Sequence, residues 1–349
     1  RTEAAMLLAA LLYLTLAVSA ASDIFAFKLL QRLPYEDGHA FFSPFSISVA
    51  MAMVYNGARD ISERQLHDAL GYTDAGLVEK SNVLSGVMRL LRNLEDMADD
   101  AVTLEVANGL LVQKDYAILL DYIMVLQDVF HATAEKVDFV HDNARVVADA
   151  NEWVSERTGG KITKIVDSLP LDTVAFIMNA VYFKGDWQVE FDTNKTTQRP
   201  FYNNGQDLDL VDTMLSLGKY GYTNDYTLDA EVVEIPYNGK DFSMVVVLPR
   251  ERSGLKGVVR SLSAANFRSV LSRLRMVNLQ LRLPKLSLES EYSLVQALGS
   301  LGANSIFGSD ADLSGISGRK DLYVSEVLHK AVVEVNEKGS EAAAATGII

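Results

Sequence analysis

The chain has 349 residues, of which 49% are hydrophobic and 22% are charged. These proportions are those of an ordinary globular protein and exclude a disordered chain, a collagen and a coiled coil. The chain carries 32 Lys and Arg against 46 Asp and Glu, which leaves a formal net charge of −14. This acidic excess argues against nucleic acid and anionic membranes as main partners, so we predict no nucleic-acid partner.

The first residues bear on the compartment of the protein. Residues 6–20 (MLLAALLYLTLAVSA) are uncharged and mostly apolar, and the stretch is short for a membrane span. It resembles the core of a signal peptide and ends in Val18-Ser19-Ala20, a small-residue cleavage site. The alternative is a buried first helix that continues into residues 21–33. We therefore treat residues 1–20 as a separate hydrophobic segment of one of these two kinds, and we expect a secreted, extracellular protein.

Helical patterns dominate the first half of the chain, and strand patterns dominate the second half. Apolar spacing, caps and stops predict helices over residues 23–33, 43–55, 61–70, 78–97, 143–158, 262–274 and 292–298. Apolar alternation and apolar runs predict strands over residues 102–112, 173–183, 232–235, 242–248, 277–283 and 322–335. The continuous apolar run 173–183 is typical of a strand buried on both faces. Helices first and long strands later indicate an α+β protein with large, mostly antiparallel sheets.

A search for catalytic and ligand-binding motifs finds none. The sequence has no cysteine, which excludes a disulfide scaffold, cysteine-bound metal and a thiol nucleophile. It has no H-x-x-x-H pair, no G-x-S-x-G elbow and no phosphate-binding loop. Acidic residues from Asp310 to Asp321 are spaced as in a calcium loop, but without helical flanks, so we interpret them as a polar loop. We predict no metal and no cofactor.

The last fifteen residues, 335–349, read VNEKGSEAAAATGII. One interpretation is a short helix, with Ser340 as its cap and with alanines of high helix propensity, although a helix this short is unstable in water. The other interpretation is an extended segment of small residues. In a strand, Ser340, Ala342, Ala344 and Thr346 would share one face. The pattern alone leaves both interpretations open.

This segment resembles the hinge of the reactive loop in inhibitory serpins, the serine protease inhibitor superfamily. The hinge residues are Glu337, Lys338, Gly339, Ser340, Glu341, Ala342, Ala343, Ala344, Ala345 and Thr346. Other motifs that are similar to the family follow in order along the chain: FFSPFSIS at 41–48, NEWV at 151–154, TGGKI at 158–162, NAVYFKGDW at 179–187, ADLSGI at 311–316 and VSEVLHK at 324–330. The resemblance runs from about Ala21 to Ile349 and implies a single serpin domain over residues 21–349.

The resemblance implies a fold with about eight to nine helices around three β-sheets. It also implies a mechanism in which a target serine protease cleaves the loop, the loop enters the main sheet as a new strand, and the protease stays trapped in a covalent acyl complex. Bulky or charged residues at Ser340, Ala342 or Ala344 would then slow insertion. Ser43, Ser46, Asn179 and His329 are similar to the family's shutter, a polar cluster beneath the strands that separate. Trp187 resembles the tryptophan of the breach, where insertion begins, with a plain core aromatic as the alternative.

Counting along the family pattern from Glu337 places the residue before the scissile bond at position 353, so the scissile bond is absent from this chain. The family's C-terminal strands, with their Pro-Phe motif, are absent as well. We therefore expect a molecule cleaved in its loop, with its own C-terminal peptide as a partner and with residues 340–349 inserted in the main sheet.

Three further expectations concern partners and modification. Residues 78–97 carry Arg89 and Arg92 but also Glu95 and Asp96, so we predict no strong heparin signature there. We expect a monomer. The sequence has one N-x-[ST] sequon, which makes Asn194 a candidate for N-glycosylation.

The resemblance favours a protease inhibitor that is not an enzyme. A non-inhibitory serpin, such as a carrier, chaperone or storage protein, is the first alternative. A hydrolase that uses His329 or another histidine, with a triad assembled from distant residues, is the second alternative.

Overall fold

Two six-stranded β-sheets and the helices packed on them make up the described molecule. The computed structural model describes residues 7–10, 17–34, 40–97, 102–203, 207–239 and 242–341. Within these residues the α-helices are α1 Ala17–Leu30, α2 Pro44–Gly57, α3 Asp60–Ala69, α4 Lys80–Met97, α5 Leu120–Phe130, α6 Asn143–Arg157, α7 Leu255–Ser261, α8 Ala264–Ser272, α9 Val295–Ser300 and α10 Ser314–Ser317. Two 3₁₀ helices cover Thr193–Lys195 and Ser305–Phe307.

The strands fall into a main sheet and a second sheet. The main sheet has the order β10-β11-β12-β4-β2-β3, formed by β2 Val102–Gln113, β3 Thr133–Val137, β4 Ala175–Asp186, β10 Leu286–Ser293, β11 Glu326–Val335 and β12 Gly339–Glu341. The second sheet has the order β1-β8-β7-β6-β5 with β9 on β6, formed by β1 Leu7–Ala10, β5 Thr197–Asn203, β6 Asp207–Asp225, β7 Ala230–Pro236, β8 Ser243–Pro249 and β9 Arg275–Pro284.

Most strand pairs are antiparallel, and β11–β4 and β2–β3 are the parallel pairs of the main sheet. The predicted α+β class is confirmed. The described strands form two sheets rather than the predicted three because β6 is continuous over 19 residues. Its first part pairs with β5 and β9 while its last part pairs with β7, so it joins two groups of strands into one sheet.

The strand that the apolar run 173–183 predicts is β4, and it is buried on both faces. One face packs against α6, where Val154 and Phe176 belong to the same apolar cluster. The other face lies over α2, whose apolar sequence is buried along most of its length. Ser43 caps α2 by accepting a hydrogen bond from the Ser46 backbone N–H, and Pro44 occupies its first turn. These features place α2 directly beneath the central strands.

The N-terminal apolar segment takes part in the fold where it is described. Leu7–Ala10 forms an antiparallel pair with residues 244–247 of β8. Helix α1 begins at Ala17 and crosses the predicted boundary at residue 20, and Ala21 and Phe25 are fully buried. This arrangement corresponds to the alternative of a buried first helix. In the described ranges no helix is both long enough and apolar enough to cross a membrane.

Several predicted elements differ from the observed ones. Residues 262–274 were expected to form one helix, but Leu262 ends α7, and Ser263 caps α8 through the Asn266 backbone N–H. The helix expected over residues 292–298 starts later, because Tyr292 belongs to β10. Helix α5 was not predicted, because Leu119 at its start has no side chain that could cap a helix.

Candidate functional site

The hinge segment starts between the two central strands of the main sheet. Gly339–Glu341 forms the short strand β12, which pairs with β11 on one side and with β4 on the other. Ser340 lies opposite Val335 and Gly185 and is 1% exposed. The interpretation of this segment as a strand is therefore confirmed as far as Glu341. Hinge residues Ala342, Ala343, Ala344, Ala345 and Thr346 lie outside the described residues.

Below β12 the main sheet is closed. Residues 326–331 of β11 bond directly to residues 176–181 of β4 in a parallel pair. A longer inserted strand would require these pairs to separate. Full insertion of residues 340–349, expected for a cleaved molecule, therefore stays a prediction, and the described residues show a sheet that is open at one end.

Trp187 holds the chain that leads into the hinge. Its backbone N–H donates to the Lys338 carbonyl at 2.8 Å, and its indole Nε1 donates to the Asn336 carbonyl at 2.9 Å. Nearby, the Phe191 backbone N–H donates to the Glu337 carbonyl at 2.9 Å. Trp187 is 3% exposed, so it is a core aromatic, but it also contacts the hinge backbone where insertion would begin. These contacts support the breach role that the resemblance implied.

The Glu337 carboxylate connects the hinge to the second sheet. The Thr196 hydroxyl donates to Oε1 at 2.7 Å, and the Lys285 ammonium lies 3.2 Å from Oε2. Burial acts to raise the pKa of Glu337, but the hydrogen bonds and the Lys285 charge outweigh it and lower the pKa. Sequence reasoning missed Thr196 and Lys285, because both are far from Glu337 along the chain.

Tyr237 lies beside Trp187 and the hinge, and the sequence did not reveal this contact. Its ring stacks on Trp187 with the centroids 4.7 Å apart, and its hydroxyl donates to Ser340 Oγ at 2.7 Å. It follows directly on β7, in the pattern of an ordinary apolar strand end, so the sequence carried no signal for a contact with the hinge.

The four predicted shutter residues lie together in one buried cluster. Asn179 and His329 are opposite each other in the β4–β11 pair, and both are fully buried. Asn179 Oδ1 accepts from His329 Nδ1 at 2.6 Å and from Ser46 Oγ at 2.9 Å. Asn179 Nδ2 donates to the Ser46 carbonyl at 3.0 Å and to Asn108 Oδ1 at 2.7 Å. Asn108 is the member of this cluster that sequence reasoning missed.

The hydrogen bonds of His329 fix its tautomer. The Ser43 backbone N–H donates to Nε2 at 3.0 Å, so Nε2 carries no proton. The single proton of the neutral ring is then on Nδ1, which donates to Asn179 Oδ1. Burial lowers the pKa of His329 to about 3, so the ring is neutral at physiological pH. The His329–Asn179 bond thus joins the two strands that an entering strand would separate.

This geometry does not form a nucleophile–base pair from Ser43 and His329. The Ser43 hydroxyl accepts the Ser46 backbone N–H as a helix cap, and the imidazole contacts the Ser43 backbone rather than its hydroxyl. His329 is also fully buried. The arrangement supports a structural lock and gives no support to a hydrolase that uses this histidine.

The free energy of unfolding is expected to depend on pH through His329. The pKa of His329 is lowered from 6.5 to about 3 in the folded protein. As the pH falls below about 6.5, the unfolded state therefore binds a proton at His329 while the folded state does not. The contribution of His329 should therefore be full above pH 6.5 and should fall by about 1.4 kcal/mol per pH unit below it.

Urea unfolding of the wild type and of His329→Gln at pH 6.5 and pH 5.5 measures this slope. The difference between the slopes of the two proteins is the contribution of His329. If the His329→Gln protein does not fold, the His329 ring resonances of the wild type report the same property and should stay in the neutral form at pH 5. A ring that titrates near pH 6.5 would contradict the assignment.

The breach and the shutter are two separate clusters along β4. Gly185 is six positions after Asn179 on this strand, which at about 3.3 Å per residue is roughly 20 Å. The cluster around Trp187 lies at the open end of the β4–β11 pair, and the cluster around Asn179 and His329 lies in its closed part.

Two other predicted features lie away from these clusters. Asn194, the sequon residue, is exposed in the 3₁₀ helix Thr193–Lys195. In the acidic loop, the Asp312 carboxylate accepts from the Ser314 hydroxyl at 2.6 Å and pairs with Lys320. Both partners of Asp312 lie within the loop, which agrees with its interpretation as a polar loop.

Comparison with known proteins gives a consistent result. The sequence profile of the serpin family, described as serine protease inhibitor, matches residues 20–349. Iripin-5 from Ixodes ricinus is 41% identical over 331 residues, which cover 94% of this chain and 84% of that protein. Intracellular coagulation inhibitor 2 from Tachypleus tridentatus is 38% identical, with 93% and 79% covered. Leukocyte elastase inhibitor from Bos taurus is 38% identical, with 95% and 89% covered.

Solved structures show the same fold. Ovalbumin from emu (Dromaius novaehollandiae) superposes with a TM-score of 0.87 at 25% identity, covering 95% of this chain and 92% of that one. Human thyroxine-binding globulin in complex with thyroxine gives a TM-score of 0.86 at 26% identity, with 94% and 88% covered.

The expectation of a secreted, extracellular protein is wrong. Two similar proteins from Tachypleus tridentatus are named intracellular coagulation inhibitors, and they match this chain over more than nine-tenths of its length. The apolar residues that suggested a signal peptide have another explanation in the fold, since Leu7–Ala10 pairs with β8 and α1 begins at Ala17.

Proposed function

Because the chain belongs to the serpin family, we propose that it inhibits serine proteases as a suicide substrate whose cleaved loop enters the main sheet. The observation that carries this proposal is β12. The first hinge residues already lie between β4 and β11, with Ser340 buried and bonded to Tyr237. Small residues follow Glu341 in the sequence, so the segment suits continued entry into a packed sheet.

The proposed reaction uses the chemistry of the protease. Its serine Oγ attacks the carbonyl carbon of the scissile residue, the C–N bond breaks, and the new amine leaves with the proton from the serine. The loop is then held to the protease by an ester. Water would hydrolyse this ester and release an active protease, so inhibition requires insertion to be faster than hydrolysis.

The register of β12 supports an inserted strand that passes the shutter. Ser340 lies opposite Gly185 of β4 and Val335 of β11, and both pairs are antiparallel. Each later residue of the loop would therefore lie opposite the residue one position earlier on β4 and on β11. If this register continues, Thr346 arrives opposite both Asn179 and His329. The polar cluster would then exchange its direct contact for bonds to an entering threonine, which keeps buried polar groups paired.

Insertion would release enough free energy to drive the trap. A strand of about 14 residues gains on the order of ten hydrogen bonds, each with a net contribution of about 1 kcal/mol. That sum is comparable with the stability of a whole domain. The uncleaved state is then held by a kinetic barrier, to which the β4–β11 pairs and the shutter contribute.

A covalent complex on a denaturing gel tests the proposal. The protein with its whole reactive loop is mixed with trypsin, chymotrypsin and elastase. We expect a band at the summed mass of serpin and protease with at least one of them. Turnover of the protein into cleaved product by all three, with no complex, would contradict inhibition of these proteases.

Two fold relatives motivate the alternative of a non-inhibitory serpin. One is an ovalbumin, and the other is a globulin whose structure contains thyroxine. Cleavage without a complex, together with no gain in melting temperature after cleavage, would favour this alternative, because the loop would then not insert.

Three other features remain proposals. We propose that the protein acts as a monomer and that its own C-terminal peptide stays bound after loop cleavage. Asn194 is proposed as a carbohydrate acceptor when the protein passes through a secretory pathway, and peptide mass spectrometry of protein expressed with a secretion signal would detect the added mass. Light scattering would test the monomer.

A further inference from the structure

Tyr237 stands at the open end of the main sheet in a site built around its ring. The ring is 1% exposed, stacks on Trp187 at an interplanar angle of 6°, and meets Phe183 edge-on with centroids 5.3 Å apart. Its backbone forms a bridge with Trp187, and its N–H donates to the Phe242 carbonyl at 3.0 Å. The ring is therefore fixed in position before any loop residue contacts it.

Strand β4 has a glycine, Gly185, next to the Tyr237 ring. A Cβ atom added to Gly185 of β4 would lie 2.8 Å from Tyr237 Cδ1, closer than real contacts allow. Gly185 is also the residue opposite Ser340 in the β4–β12 pair. The glycine thus lets the tyrosine lie against the place where the first loop residue enters.

The Tyr237 hydroxyl is directed at that place. It donates to Ser340 Oγ at 2.7 Å, and both residues are 1% exposed. Across the described part of the chain, this is the hydrogen bond that the structure records for the hydroxyl. Burial raises the pKa of the phenol, which keeps the proton that the bond requires. If Ser340 left the sheet, a buried donor would lose its partner, which disfavours withdrawal of the loop.

We propose that Tyr237 is a positioning residue that recognises a hydroxyl side chain at loop position 340 and thereby fixes the first step of insertion. This inference rests on the proposed inhibitory function. It predicts that serine or threonine at position 340 enters faster than alanine, although alanine is the smaller side chain. If only the size of the side chain mattered, alanine at position 340 would enter the sheet faster than threonine.

The test is the stoichiometry of inhibition of Tyr237→Phe against the protease that forms the covalent complex. Loss of the bond slows insertion while the protease still attacks the loop, so more acyl-enzyme hydrolyses. We expect the ratio of cleaved to complexed serpin, which is the stoichiometry minus one, to rise about threefold to tenfold, since each tenfold change in this ratio corresponds to about 1.4 kcal/mol. The rate of loop attack, obtained as the inhibition rate constant multiplied by the stoichiometry, should not change.

Two comparisons separate recognition from a structural effect. Tyr122→Phe is the matched control, because that tyrosine is also buried and donates to the Met53 carbonyl at 3.1 Å in another part of the fold. It should leave the stoichiometry unchanged. Ser340→Ala should raise the stoichiometry as Tyr237→Phe does, and the double variant should be no worse than either single one. Ser340→Thr should behave like the wild type.

The proposal is overturned if Tyr237→Phe leaves the stoichiometry unchanged, if Tyr122→Phe raises it equally, or if the double variant shows additive effects. If Tyr237→Phe does not fold, the comparison of the stoichiometries of Ser340→Ala and Ser340→Thr tests the proposal by itself. A wild type that forms no complex would contradict the proposed function instead. In that case the reactive loop is cleaved in the wild type and in Tyr237→Phe, and the rate at which each cleaved protein gains thermal stability is measured. Slower stabilisation of Tyr237→Phe would support recognition of the hydroxyl, and equal rates would refute it.

Discussion

Replacing Ser340 with arginine is expected to turn the inhibitor into a substrate and to raise the stoichiometry of inhibition at least tenfold. Ser340 is 1% exposed between Gly185 and Val335. An arginine at this position would have to bury a guanidinium against Tyr237 between two strands, or keep the loop out of the sheet. Burying an unpaired charge costs several kcal/mol, and about 1.4 kcal/mol in the insertion barrier already changes the partitioning tenfold.

The matched control for this variant is Lys338→Arg. Lys338 is exposed two residues before Ser340, so an arginine there stays in water and should leave the stoichiometry near that of the wild type. Both variants are titrated against the protease that forms the covalent complex, and cleaved and complexed bands are quantified. A Ser340→Arg protein that inhibits with a stoichiometry near one would show that trapping does not require this residue to enter the sheet.

Removing the Asn179 side chain is expected to lower the free energy of unfolding by about 3–5 kcal/mol. Its amide makes four hydrogen bonds in a fully buried cluster, to His329, Ser46 and Asn108. In Asn179→Ala the His329 Nδ1 proton and Asn108 Oδ1 lose their partner without access to water. The side-chain bond between Asn179 of β4 and His329 of β11 is lost as well, so the barrier to separation of the strands should fall.

Chemical denaturation of Asn179→Ala measures this loss. The control is Asn278→Ala, since Asn278 is exposed on β9 and its removal should change the free energy by no more than about 0.5 kcal/mol. The shutter variant should also convert faster to a heat-stable form when warmed without protease, because its strands separate more easily. Equal stability of the two variants would show that the cluster does not hold the sheet closed.

The family and the local character of the hinge could be predicted from the order of the amino acids alone. Small residues at Ser340 and Ala342 suit a strand that enters a packed sheet, and the apolar run 173–183 predicted β4 as a strand buried on both faces. Period and residue size are properties of adjacent positions, so they can be recognised along the chain. The residues of the breach and the shutter came from the ordered motifs of the family resemblance, and the structure places them as two clusters on one strand pair.

The residues that complete those clusters could be identified only from the folded structure. Tyr237, Thr196 and Lys285 contact the hinge from positions next to the ends of β7, β5 and β9, more than 50 residues away along the chain, and nothing in their local patterns marks them. The join of two strand groups into one sheet through β6 was likewise not visible in the pattern, since strand pairing is set by contacts between distant segments.

For the N-terminal apolar segment, too, the sequence shows the local character while contacts with distant segments set the structure. Its composition suits a signal peptide, a buried strand or a buried helix equally, because all three require uninterrupted apolar residues. What distinguishes them is whether another part of the chain offers a surface to cover. Here β8 offers an edge to Leu7–Ala10, and α1 buries Phe25 in the core formed with α2. The apolar character of this segment could be read from the sequence, but its role in the fold depended on what it packs against.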